Sequence, residues 1–116
     1  MIEHLFTKGK TMSAFPVKLL YDFSEDETKP LKAGVTVSSR NFKKAVDRNR
    51  VKRVLRESYR LQKIPLQSRI LEEGKSLALF FIYTGKQLPV YKEVHEKIGL
   101  LLERLTNDLR KKRNNP

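Results

Sequence analysis

Apolar and polar residues alternate along this chain in a few distinct rhythms. Between Pro16 and Phe23, Val17, Leu19, Tyr21 and Phe23 alternate with Lys18, Leu20 and Asp22, the two-residue period of a strand with one covered face. A second alternating run covers Leu31 to Ser38, with Leu31, Ala33, Val35 and Val37 on one side and Lys32, Gly34, Thr36 and Ser38 on the other. The intervening Ser24 to Pro30 is polar, acidic and closed by proline, which reads as a turn or hairpin loop. Two such runs, joined in this way, predict an adjacent antiparallel pair.

Beyond them the period lengthens. Ala45 to Lys63 contains neither glycine nor proline and is rich in arginine, lysine and leucine, which predicts one long helix stopped before Pro65. A short helical turn is expected around Gln67 to Glu73, ended by Gly74. Leu77 to Tyr83 is apolar at every position, as a strand covered on both faces should be. After Pro89, Val94, Ile98, Leu101, Leu102, Leu105 and Leu109 recur at three- and four-residue intervals, the stripe of an amphipathic helix. Glu3 to Lys8 reads as a short helix ended by Gly9, and Arg110 to Pro116 as a frayed basic tail. The order predicts an α+β fold. It is a two-layer sandwich with a sheet of about four strands, mostly antiparallel or mixed, a central basic helix and a C-terminal amphipathic one.

Composition narrows the class. The 116 residues, 39% of them hydrophobic, suffice for a single domain spanning the chain. Cysteine is absent, which excludes a disulfide framework, thiol catalysis and cysteine zinc sites. The longest apolar run, Leu77 to Tyr83, is far short of the ~18–20 residues that span a bilayer. Met1-Ile2-Glu3-His4 lacks the basic start and apolar stretch of a signal peptide, so the expected setting is soluble and cytoplasmic. His4 and His95 lack metal-ligand spacing and read as exposed surface histidines.

Charge points to a partner. The net charge is +12, which favours a polyanion as the habitual ligand. Residues 40–60 supply more than half of it, through Arg40, Lys43, Lys44, Arg48, Arg50, Lys52, Arg53, Arg56 and Arg60 against Asp47 and Glu57. On a helical wheel Asn49, Lys52, Arg53, Arg56 and Arg60 share one arc of about 100°. Val51, Val54, Leu55 and Ser58 occupy another, suited to docking on the sheet. A basic helix face is often no more than a solvated surface. Here glutamates do not interleave the ridge, Glu57 being the only near partner, for Arg53 or its neighbours. Arginine also outnumbers lysine, and its planar fork suits phosphates and bases. A membrane-surface helix would need its large apolar residues on the outside, and here they are required for the core. No membrane is expected as a partner, and RNA is favoured.

The stretch Lys44-Ala-Val-Asp-Arg-Asn-Arg-Val-Lys-Arg-Val-Leu-Arg-Glu57 closely resembles the signature of the protein subunit of bacterial ribonuclease P, in its Arg48-Asn49-Arg50, Lys52-Arg53 and Arg56-Glu57 elements. Leu5-Phe6-Thr-Lys-Gly9 looks like that family's first-helix ending, and Ala33 to Ser38 like its strand before the basic helix. The resemblance implies a fold like the second domain of ribosomal protein S5, with a left-handed βαβ crossover. It implies a partner, the catalytic RNA of ribonuclease P, which itself hydrolyses precursor tRNA to release the 5′ leader, with Mg2+ required by that RNA. Carried over by position, Arg48, Asn49, Arg50, Lys52, Arg53, Arg56 and Arg60 would bind RNA. Phe6, Ser38 and Arg40, with Lys86 at the rim, would line a cleft for the single-stranded leader. Family members often carry aromatic residues where Ile2 and Leu20 stand here, so stacking in the cleft would be weaker or rest more on Phe6.

The residues offer no catalyst of their own. Acidic side chains cluster only at Glu25-Asp26-Glu27 and Glu72-Glu73, with no Asp-x-Asp metal pair, no His–Glu pair at helical spacing and no glycine-rich phosphate loop. The expected role is therefore a subunit of an endoribonuclease whose chemistry belongs to RNA. The alternative is a structural RNA-binding protein of ribosomal type. Oligomeric state, and any metal held by the protein, are not legible in the sequence.

Overall fold

The computed structural model describes residues 10–24 and 31–114. Four strands form one sheet: β1 (Lys10–Ala14), β2 (Val17–Ser24), β3 (Leu31–Val37) and β4 (Ser76–Tyr83). Three helices join them: α1 (Ala45–Gln62), α2 (Ile64–Glu73) and α3 (Tyr91–Asn114). The expected short helix over Glu3 to Lys8 lies outside the described residues, as does most of the loop expected over Ser24 to Pro30.

The sheet order is β1-β2-β4-β3. β4 is antiparallel to β2, with Leu19 opposite Phe81, and parallel to β3, with Val35 also opposite Phe81. The alternating runs at 17–24 and 31–37 are therefore not adjacent, contrary to the hairpin expectation, although they run in opposite directions. The physical reason is β4. A strand that is apolar on both faces gains most from neighbours on both edges, and it takes the central slot between the two half-covered strands. β1, which alternation did not reveal, pairs with β2 through Lys10–Tyr21 and Ala14–Val17.

All three helices pack on one face of the sheet. The inward residues Val17, Leu19 and Tyr21 of β2, Val37 of β3 and Leu77, Leu79, Phe81 and Tyr83 of β4 are buried against them. From α3 come Val94, Ile98, Leu101, Leu102, Leu105 and Leu109, every position of the predicted stripe. The opposite face carries a small second cluster, Leu20 and Phe80 with Ala78 and Ile82.

Helix boundaries follow local chemistry. α1 ends at Gln62, and after Lys63 the chain starts α2 with Pro65 in its first turn, where a missing N–H is harmless. The turn expected over Gln67 to Glu73 is thus a ten-residue helix. It closes at Gly74, whose φ of 64° is the left-handed cap conformation that glycine adopts without strain. α3 continues to Asn114, through most of the segment read as a frayed tail. His95, expected on the surface, is half-buried, with Nδ1 shielded from solvent and its ring 5.5 Å from that of Tyr91.

Candidate nucleic-acid interface

α1 is seated by one side only. Val51, Leu55 and Ser58 are buried, while Val54 and Tyr59 pack against the same core at its margin. The Tyr59 ring lies 5.5 Å from that of Phe81, at the centre of β4. These contacts fix the rotation of the helix, and that rotation turns Asn49, Arg50, Arg53, Arg56 and Arg60 to solvent, with Lys52 half-buried beside them. Among the described residues, the side chains of Arg50, Lys52, Arg53 and Arg56 make no hydrogen bond or ion pair. An open depression lined by Val46, Asp47, Asn49, Arg50 and Arg53 lies along the first turns. Guanidinium groups so displayed are available to phosphate oxygens and to base faces.

Two of the seven expected RNA-binding residues are otherwise engaged. Arg48 is half-buried, and its Nη1 donates to the carbonyl oxygens of Phe42 at 2.9 Å and Lys43 at 2.8 Å. Arg60 is paired with Glu57 one turn earlier, its Nη2 on Oε1 and its Nε 3.4 Å from Oε2. That hydrogen bond holds the Glu57 carboxyl below its usual range and raises Arg60. The expected partner for Glu57 was Arg53 or a neighbour. The three-residue spacing to Arg60 selects differently and leaves Arg53 unneutralised.

Three of the four residues expected along the leader path, Ser38, Arg40 and Lys86, share one end of the sheet. Val37 and Tyr83 are paired in the parallel β3–β4 ladder, so both strands leave the sheet side by side, β3 into Ser38 and Arg40 and β4 into Lys86. All three side chains are exposed. Ser38 Oγ accepts from the Arg40 backbone N–H at 3.2 Å, and its carbonyl accepts from Asn41 and Phe42. The hydroxyl therefore shapes the turn and keeps its own proton to donate. Phe6 lies outside the described residues. Phe42, buried in the lead-in to α1, packs on Tyr83 with ring centroids 5.9 Å apart, which ties the basic helix to this end of the sheet. Sequence reading missed an exposed aromatic here, Phe15 in the β1–β2 turn; the Phe-Pro pair before an alternating run was its only signal.

A family model described as Ribonuclease P matches residues 1–106. The chain belongs to the ribonuclease P protein family. The ribonuclease P protein component of Porphyromonas gingivalis is 30% identical over 109 residues, covering 93% of this chain and 80% of the relative. That of Chlorobium phaeobacteroides is 29% identical over 117 residues, covering 90% and 80%. Among solved structures, the RNase P protein of Staphylococcus aureus superposes with a TM-score of 0.70 at 16% identity, over 90% of this chain and 87% of that one. The RNase P protein from Thermotoga maritima gives 0.70 at 23%, over 89% of each. At those identities the structures establish the α+β fold, and the family match establishes the kinship. No helix of the described residues is long and apolar enough to cross a membrane.

Proposed function

We propose that this chain is the RNA-binding protein subunit of ribonuclease P and assists the enzyme's catalytic RNA in removing the 5′ leader of precursor tRNA. In this reading α1 rests on the catalytic RNA through Asn49, Arg50, Lys52, Arg53, Arg56 and the paired Arg60. Arg48 acts mainly by holding the start of that helix. Ser38, Arg40 and Lys86 border the path of the leader, and Phe6 joins them on the family resemblance. Phosphodiester hydrolysis and the Mg2+ it requires belong to the RNA, and the particle works in the cytoplasm.

The observation that supports this best is the row of unpaired guanidinium groups on a helix whose other side is locked to the sheet. Such a row meets a folded polyanion without reorganising, so little side-chain ordering opposes binding. Single-stranded RNA beside it would be held by cationic grooves and base stacking.

Reconstitution tests the proposal. Added to a bacterial catalytic RNA and a precursor tRNA at low Mg2+, the protein is expected to restore release of the leader. No release at any protein concentration, with tight binding to ribosomal RNA instead, would overturn it in favour of a structural ribosomal-type protein.

A further inference from the structure

A second concave site lies beside that end of the sheet, on its helix-bearing side. Its volume is about 400 Å3, and Phe15, Pro16, Tyr83, Lys86, Val90 and Glu93 contribute to its walls. Phe15 stands in the β1–β2 turn with 71% of its surface exposed. An aromatic ring so exposed adds little to the core, whereas it offers a flat apolar face to a ligand.

The walls around it are firmly built. The Pro16 carbonyl accepts from the Thr84 backbone N–H at 2.8 Å and from Thr84 Oγ1 at 3.1 Å, joining the β1–β2 turn to the exit of β4. Tyr83 donates from its hydroxyl to the Gln87 carbonyl at 2.8 Å. A Cβ at Gly85 would fall 2.7 Å from the Tyr83 hydroxyl oxygen, so only glycine lets the loop close over that ring. Lys86, placed above beside the leader path, also stands on this rim and brings a cation to both. Glu93, from the first turn of α3, brings a carboxylate close enough to influence the Tyr83 phenol.

An exposed ring, a cation and a carboxylate on one pocket match the parts of a nucleotide. The ring stacks on the base, the ammonium meets the phosphate, and the carboxylate accepts from an amino or imino N–H of the base edge. We propose that this pocket takes one unpaired nucleobase of the catalytic RNA, stacked on Phe15, with an exocyclic amino group donating to Glu93. The inference rests on the ribonuclease P reading for its partner. The catalytic RNA is preferred over the leader because Tyr83, Val90 and Glu93 belong to the helix-bearing side of the sheet, which is also the side that carries α1.

Chemical probing of the catalytic RNA with full-length protein tests this. Wild-type protein should protect one unpaired adenine, cytosine or guanine that Phe15→Ala leaves reactive, while protection along the α1 contact persists. Affinity for the catalytic RNA should fall about 10-fold in Phe15→Ala, on the scale of one lost base–aromatic stack. Phe15→Tyr should restore both readouts, and Glu93→Ala, which removes the acceptor, should loosen protection of that base without altering the far-ultraviolet spectrum. Identical footprints and affinities for wild type and Phe15→Ala would overturn the pocket while leaving the ribonuclease P reading intact. A Phe15-dependent protection found only on the precursor leader would overturn the choice of RNA. Wild-type protein that neither binds the catalytic RNA nor supports processing would overturn both.

Discussion

Arg48 reaches back six residues to the carbonyl oxygen of Phe42, which accepts its Nη1 proton at 2.9 Å. The same nitrogen is 2.8 Å from the Lys43 carbonyl, so one guanidinium pins the chain just before α1 to the first turn of that helix. Lys44, at the N-cap position, makes no side-chain cap, and Arg48 is what fastens the entry. Arg48→Ala should therefore lower stability by about 1–2 kcal/mol, the usual worth of hydrogen bonds from a charged donor in a half-buried setting. Chemical denaturation checks this. Unchanged stability with strongly reduced RNA binding would mean that Arg48 serves the RNA and not the helix.

Further along the same helix the opposite result is expected. The Arg53 and Arg56 side chains are exposed and make no hydrogen bond or ion pair among the described residues. Arg53→Ala and Arg56→Ala should each weaken RNA association by about 1–3 kcal/mol with no change in thermal unfolding. Each should also flatten the dependence of log K on log salt by ~0.7–0.9. Leu55→Ala, on the buried side, should instead cost about 2–5 kcal/mol of stability. Equal RNA affinity in both arginine variants would reduce the ridge to a solvated surface.

How much of this was legible depends on whether a signal was local. The stripe from Val94 to Leu109 and the apolar run of β4 are dictated by burial of contiguous residues, and both stand where periodicity placed them. The docked side of α1, Val51, Leu55 and Ser58, follows from the same wheel that isolates the arginines. Strand order was not local. Val17–Phe23 and Leu31–Val37 have the same alternation whether they pair with each other or with β4, and the choice is made by a strand about forty residues downstream. β1 was silent because Lys10-Thr-Met-Ser-Ala14 exposes most of an edge strand and buries little. The engagement of Arg48 depends on backbone carbonyls, which residue types do not reveal. The pairing of Glu57 with Arg60 over Arg53 is a matter of rotamers on one exposed helix face.

That pairing has a functional consequence. Glu57 is the carboxylate midway along the ridge, and it occupies Arg60. Because the pair is solvent-exposed, removing it should leave stability almost unchanged. Glu57→Gln nevertheless deletes a negative charge from the surface proposed to meet RNA phosphates and releases a guanidinium. RNA affinity should rise about two- to five-fold at low salt, with the gain shrinking as ionic strength increases. A loss of affinity in the filter-binding assay would show that Glu57 orients Arg60 toward the RNA instead of competing with it.

Tyr59 sets a limit on the alkaline side. Burial against Phe81 pushes its phenol up from 10.0 to about 12, because a phenolate there would be poorly solvated. A group that ionises later in the folded chain than in the unfolded one contributes its full stabilisation below the unfolded value, near 10. That contribution is then lost as pH climbs through about 12, since only the unfolded chain gains the charge in between. Tyr21 and Tyr83 are raised in the same direction, each by burial first and then by Asp108 and Glu93 respectively, so some alkaline loss remains without Tyr59. Denaturation midpoints of wild type and Tyr59→Phe should therefore fall together between pH 8 and pH 9 and separate above pH 10, the phenylalanine variant declining less steeply. Curves that stay parallel up to pH 12 would show that the Tyr59 hydroxyl is solvated in the folded protein, and with it that the margin of α1 is less tightly seated on β4 than the ring contact implies.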